Sequence, residues 1–206
     1  KDVHRVQPHA LSITQSNELG CSYRPGELTA LARCAEHHGL GFHIDGARFA
    51  NAVAFLDCAP SDACRGAGAL SFGMVKNGAM NAEAIVLFDP ALADVARRRR
   101  KRAGHLQSKG RFLAAQLLAM TEGGLWLENA RRANAAAGEL ASAAGERLLH
   151  PVEANQLFVR LSADERRTLR DMGFDFYDWG DGARIVTAWD SRDQDVAALA
   201  RALRGL

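Results

Sequence analysis

The sequence has no C-x-x-C pair, no hydrophobic run approaching membrane-spanning length, no large excess of charge of either sign and no internal repeat. Its four cysteines, Cys21, Cys34, Cys58 and Cys64, do not alternate with histidines at zinc-ligand spacing, which argues against a metal site. A chain of 206 residues is also large enough to form a core without a disulfide staple, so reduced thiols in the cytoplasm are expected. A bilayer helix needs about 20 consecutive apolar residues, and none are present. The first six residues contain no signal-peptide core, so a chain that is not exported and does not enter a membrane is expected. The formal net charge of +2 predicts no dominant polyanionic partner. The basic run at residues 97–102 sits within helical flanks without interleaved aromatics, so it reads as a solvated helix face and not as a nucleic-acid site.

What is present is ordinary globular composition, with 48% hydrophobic residues, enough to bury a core. Residues 10–14 read as a short strand. Pro25 opens a helix with Leu28, Leu31, Ala32 and Ala35 on one face, and Gly39 is placed to end it. Residues 40–44 read as a buried strand broken by Asp45-Gly46, and residues 47–56 as a helix. Residues 69–72 form a brief strand, 73–81 a small-residue loop holding Lys76, and 83–88 another strand. This alternation predicts α/β layering with a mostly parallel sheet. Residues 91–145 turn helical, with breaks near Gly104 and Gly123-Gly124. The remainder alternates between strands at 156–161, 174–177 and 185–188 and helices at 163–172 and 193–203. We therefore expect two units, 1–124 as part of an α/β large domain and 125–206 as a linking helix with a small α+β domain.

Two segments carry chemistry. The first is His43-Ile44-Asp45-Gly46-Ala47-Arg48, at the carboxyl end of a predicted strand, where open α/β sheets bind ligands. A carboxylate there can hold a protonated ring nitrogen, and an arginine can grip an anionic oxygen. Alone, such a segment is as readily a turn aspartate and a surface arginine. His43, two residues before Asp45, shares its strand face; a histidine bonded only to backbone is the plainer alternative. The second segment, Ser71-Phe72-Gly73-Met74-Val75-Lys76-Asn77-Gly78, follows the next strand. A partly desolvated lysine has a lowered pKa and becomes a usable amine nucleophile, while the glycines allow close approach of backbone or ligand. A loop lysine by itself is usually solvated.

Taken together, the two segments resemble fold-type I pyridoxal-phosphate (PLP) enzymes, in the aspartate aminotransferase-like superfamily. Residues 43–53 and 70–79 are similar to low-specificity L-threonine aldolases of the threonine aldolase/beta-eliminating lyase family. Segments 99–106, 111–116, 151–155 and 184–190 match in the same order, so the resemblance covers essentially the whole chain. It implies that Lys76 is the Schiff-base lysine, that Asp45 pairs with the pyridinium nitrogen, and that Arg48 lies near the cofactor oxygen and the substrate carboxylate. Arg184 would be the main carboxylate clamp, and His43 would help to hold the cofactor. The implied reaction is retro-aldol cleavage of L-threonine, L-allo-threonine and related β-hydroxy-α-amino acids to glycine and an aldehyde, in a homo-oligomer. A beta-eliminating lyase, or an inactive fragment that associates with an intact subunit, stays open. The family carries a substantial N-terminal part with the phosphate-binding loop, whereas this sequence starts a few residues before its first strand. Weak PLP binding and poor activity of the chain alone are therefore expected. Ala67-Gly68 stand where the family usually has an apolar residue and an aspartate, which predicts a weakened strand.

Overall fold

A computed structural model describes residues 2–206 of the chain. Its first sheet is built from β1 (Ala10–Thr14), β2 (Gly41–Gly46), β3 (Ala69–Gly73) and β4 (Glu83–Leu87), in that spatial order. β1, β2 and β3 are parallel, and β4 closes the sheet antiparallel to β3. Helix α1 (Pro25–His37) connects β1 to β2. Its first turn is closed by the Glu27 carboxylate, which accepts from Arg24 N–H at 2.7 Å, and Gly39 at φ +65° turns the chain out of it. Helix α2 (Phe49–Leu56) connects β2 to β3. It begins two residues later than expected because Ala47 gives its N–H to Asp45 Oδ1 at 2.9 Å and is held in the turn before the helix.

The alternation along β2 sets the two faces of this sheet. Phe42 and Ile44 point into a core with Leu28, Phe49, Leu70, Met74 and Trp126. His43 and Asp45 point the other way and are only half-buried, so β2 is not the wholly buried strand its apolar content suggested. Register places Ser12 beside His43 and Ser71 beside Asp45, so the opposite face is polar along three neighbouring strands. Gly68 does not break the pattern next to β3. Its N–H reaches Phe42 O at 2.8 Å and its carbonyl accepts from Phe88 N at 2.9 Å, which carries the ladder one step further on both sides.

Helices α3 (Ala93–Arg102) and α4 (Arg111–Thr121) follow, then α5 (Leu125–Ala144), which starts after Gly123 and Gly124, both at positive φ. The second sheet is antiparallel, ordered β5 (Gln156–Arg160), β7 (Gly182–Val186), β6 (Tyr177–Trp179). Helices α6 (Ala163–Asp171) and α7 (Asp193–Arg204) pack with it around Leu140, Leu157, Leu169, Val196 and Leu203. β6 begins only at the last residue of the predicted 174–177 strand. Gly173 at φ +92° ends α6 and Phe174 N caps Leu169 O at 3.1 Å, so residues 174–176 are spent leaving the helix. β7 ends before residue 187 because Thr187 turns into α5, its hydroxyl donating to Ala133 O at 2.7 Å. Among the described residues no helix is long and apolar enough to cross a membrane.

Candidate active site

The ends of β2 and β3 build one edge of the site. Gly46 and Gly73 let their two loops touch: a Cβ on Gly73 would lie 2.7 Å from Ala47 Cα and 2.9 Å from Gly46 O. The close approach expected of Gly73 is therefore made to a neighbouring turn. Lys76 rides on a single 3-10 turn, Val75–Asn77, that follows. Asn77 fastens this turn to α5, its Nδ2 donating to Trp126 O at 2.7 Å, while Asn129 Nδ2 donates to Asn77 O at 2.9 Å. Gly78 sits at φ +114°, which L side chains rarely adopt, and a Cβ there would press to 3.0 Å from Asn129 Nδ2 and 3.3 Å from the Trp189 ring.

Of the five residues singled out from sequence, Asp45, Arg48 and Arg184 all bring their charges to bear on Lys76. The Lys76 amine remains accessible, yet its pKa is lowered, first by partial burial and then by the Arg48 guanidinium. Asp45 opposes that shift, Arg184 adds to it, and Glu83 opposes it. Arg48 caps the start of α2 and donates from Nε to Asn155 Oδ1 at 3.0 Å; burial, then repulsion by Arg184, lowers its pKa. Arg184, on β7, donates from Nε and Nη2 to Gln156 Oε1 at 3.1 and 2.5 Å, with its guanidinium carbon 5.8 Å from the centre of the Tyr177 ring. The second sheet thus delivers Arg184 to the loops of the first.

The fifth residue, His43, lies on the same strand face as Asp45, two positions deeper. Its ring nitrogens meet side chains: Nδ1 is 2.8 Å from Ser12 Oγ and Nε2 is 3.0 Å from Ser71 Oγ. Sequence reasoning missed both serines, as well as Asn155 and Gln156. The available signal was polar residues at positions whose strand neighbours are apolar, which demand buried partners.

A strand-end carboxylate, an accessible amine with lowered pKa and two guanidiniums form a donor set suited to an aldehyde, a protonated ring nitrogen and anionic oxygens, which are the groups PLP and an amino acid present together. The fold is that of the PLP-dependent fold-type I enzymes. The chain belongs to the beta-eliminating lyase family, matched over residues 1–164. It is 41% identical over 214 aligned positions to a low specificity L-threonine aldolase of a Pseudomonas species, covering 100% of this chain and 62% of that protein. A Pseudomonas aeruginosa protein of the same description is 42% identical, with 99% and 61% covered. The solved structure of Leishmania major threonine aldolase superposes with a TM-score of 0.91 at 29% identity, over 100% of this chain and 63% of that one. The chain therefore spans about three-fifths of the length of the relatives it matches.

Proposed function

We propose that the chain serves a PLP-dependent retro-aldol cleavage of L-threonine, L-allo-threonine and related β-hydroxy-α-amino acids to glycine and an aldehyde. The observation that carries this reading is the meeting of Lys76, Asp45, Arg48 and Arg184 where the loops after β2 and β3 face β7. PLP, when bound, supplies an electron sink for the charge left at Cα when the Cα–Cβ bond breaks. Asp45, tied by one oxygen to Ala47 N–H, would keep a proton on the ring nitrogen. Lys76 offers an amine that sheds its proton more readily than an ordinary lysine, and it would be the residue that holds the cofactor's aldehyde. Arg184, with Arg48 beside it, grips the substrate carboxylate, and that grip fixes which bond at Cα is aligned for cleavage. His43, pinned between Ser12 and Ser71, supports the cofactor from Asp45's strand face.

The same reading divides the chain into 1–124 and 125–206, assembles it as a homo-oligomer and places it in the cytoplasm. Beta-elimination is the second reading, favoured by the family match, because the amine and the carboxylate serve both reactions. The test is an absorption spectrum of the chain with added PLP, beside Lys76→Ala, followed by product analysis. A weak Lys76-dependent band that changes with glycine, then slow release of glycine and acetaldehyde from threonine, is expected of a chain that spans about three-fifths of its relatives. Release of pyruvate and ammonia from serine in place of acetaldehyde from threonine would move the assignment to elimination. A spectrum identical in the Lys76→Ala chain would overturn the site.

A further inference from the structure

We infer that Asn155 and Gln156 are positioning residues whose neutral amides aim the Arg48 and Arg184 guanidiniums while leaving their positive charge free for a carboxylate ligand. The inference rests on the proposed function for the identity of that ligand, and on the hydrogen bonds of the chain for the rest. Elsewhere this protein satisfies arginines with carboxylates: Arg24 with Glu153, Arg147 with Glu165, Arg166 and Arg170 with Asp178. At the site it does not. Arg48 Nε meets Asn155 Oδ1 at 3.0 Å, and Arg184 Nε and Nη2 meet Gln156 Oε1 at 3.1 and 2.5 Å.

Both amides are nearly inaccessible, at 4% and 2% relative exposure, and their other ends are engaged. Asn155 Nδ2 donates to Thr187 O at 2.5 Å, and Thr187 in turn bonds Ala133 O on α5. Gln156 Nε2 reaches Asn17 O at 3.4 Å. With the amino end of each amide committed to a carbonyl, the oxygen end faces the arginine. A carboxylate in either place would hold the guanidinium as well or better, because a charge-assisted bond is stronger, but it would neutralise the cation that a ligand needs. Two like charges brought together over neutral acceptors cost stability, and that cost is the mark of a site waiting for an anion.

Asn155→Asp and Gln156→Glu keep the shape and add the missing charge. Acetate, titrated without PLP and followed in the Arg48 and Arg184 Nε–H resonances, reads carboxylate capture directly. A thermal unfolding scan of each chain reads the fold. Asn155→Leu and Gln156→Met are the neutral controls, because all four variants lose the amide donor that Thr187 O or Asn17 O accepts from and all four lose stability. Expected is acetate binding weakened tenfold or more in each acid variant and clearly less in its neutral counterpart. A purely structural role would weaken acid and neutral variants alike. The inference is overturned by a smaller change in acetate affinity, by neutral variants that lose as much as the acid ones, or by a parent chain whose arginine signals ignore acetate. A chain that captures acetate but shows no Lys76-dependent PLP band sinks the aldolase reading alone. A band accompanied by acid variants of unchanged acetate affinity sinks this inference alone.

Discussion

Lys76 lies in a field of mixed sign, and the balance decides how much of its amine is neutral at a given pH. Burial and the Arg48 and Arg184 cations push its pKa below the ordinary lysine value near about 10.4, while Asp45 and Glu83 pull the other way. Removing a carboxylate therefore lowers the midpoint further, and removing a guanidinium raises it. Asp45→Asn should shift the Lys76 titration to lower pH and Arg48→Met to higher pH, read by carbon NMR of the isotopically methylated amine. Shifts of the same sign in both variants would show that charge is not what sets this amine. The linkage to stability has the matching sign. The folded chain releases the Lys76 proton before the unfolded chain does, so below the lowered pKa the ammonium carries its full destabilising cost. That cost fades as pH rises from the folded pKa to the unfolded one.

At the scale of elements, the strand–loop junctions decide where Lys76 sits. The turn after β3 is seated against the turn after β2 with nothing between their backbones, since a Cβ on Gly73 would come within 2.7 Å of Ala47 Cα. Backbone cannot rotate out of the way as the end of a long side chain can. Gly73→Ala should therefore cost about 1–3 kcal/mol in urea unfolding, in the range of overpacking, and weaken PLP capture with Lys76 itself intact. A loss below about 0.5 kcal/mol would mean that the two turns separate freely. This junction was only half legible in the sequence. Glycine at 73 announced a close approach, but not to what, because its partner lies on the preceding strand's loop. The first sheet's elements were legible because each strand is short and carries apolar residues, and polar or glycine-bearing turns separate it from the next element. β6 and β7 were not, because Gly173 diverts residues 174–176 into a helix exit and Thr187 leaves its strand for α5. Lys76, Asp45, Arg48 and Arg184 were read from motif, whereas Asn155 and Gln156 become meaningful only when β5 and β7 place them against the arginines.

For the whole molecule, the site exists only if the two sheets keep their relation, since Lys76 and Arg48 come from the first and Arg184 from the second. Two features hold that relation beyond the Arg48–Asn155 and Gln156–Asn17 bonds. The segment just before β5 is strapped to the loop after β1: Glu153 accepts from Arg24 and from Ser22 N, and Ser22 Oγ donates to Glu153 O at 3.2 Å. Helix α5 is shared as well, with Trp126 and Ala130 in the first core and Ala137, Leu140 and Ala144 in the second. A rigid helix with both halves buried transmits loss of one core to the other, because its turns cannot unfold independently at low cost. Leu140→Ala, at a position with 2% relative exposure, should destabilise the chain by about 2–5 kcal/mol. If α5 couples the cores, the amides of the first core, such as Ile44 on β2, lose hydrogen-exchange protection by the same free energy as those of Leu157 on β5. If only the second sheet loses protection, the helix is a tether and not a coupler. The alignment of Arg184 with Lys76 would then rest on the Glu153 strap and on the Arg48–Asn155 and Gln156–Asn17 bonds.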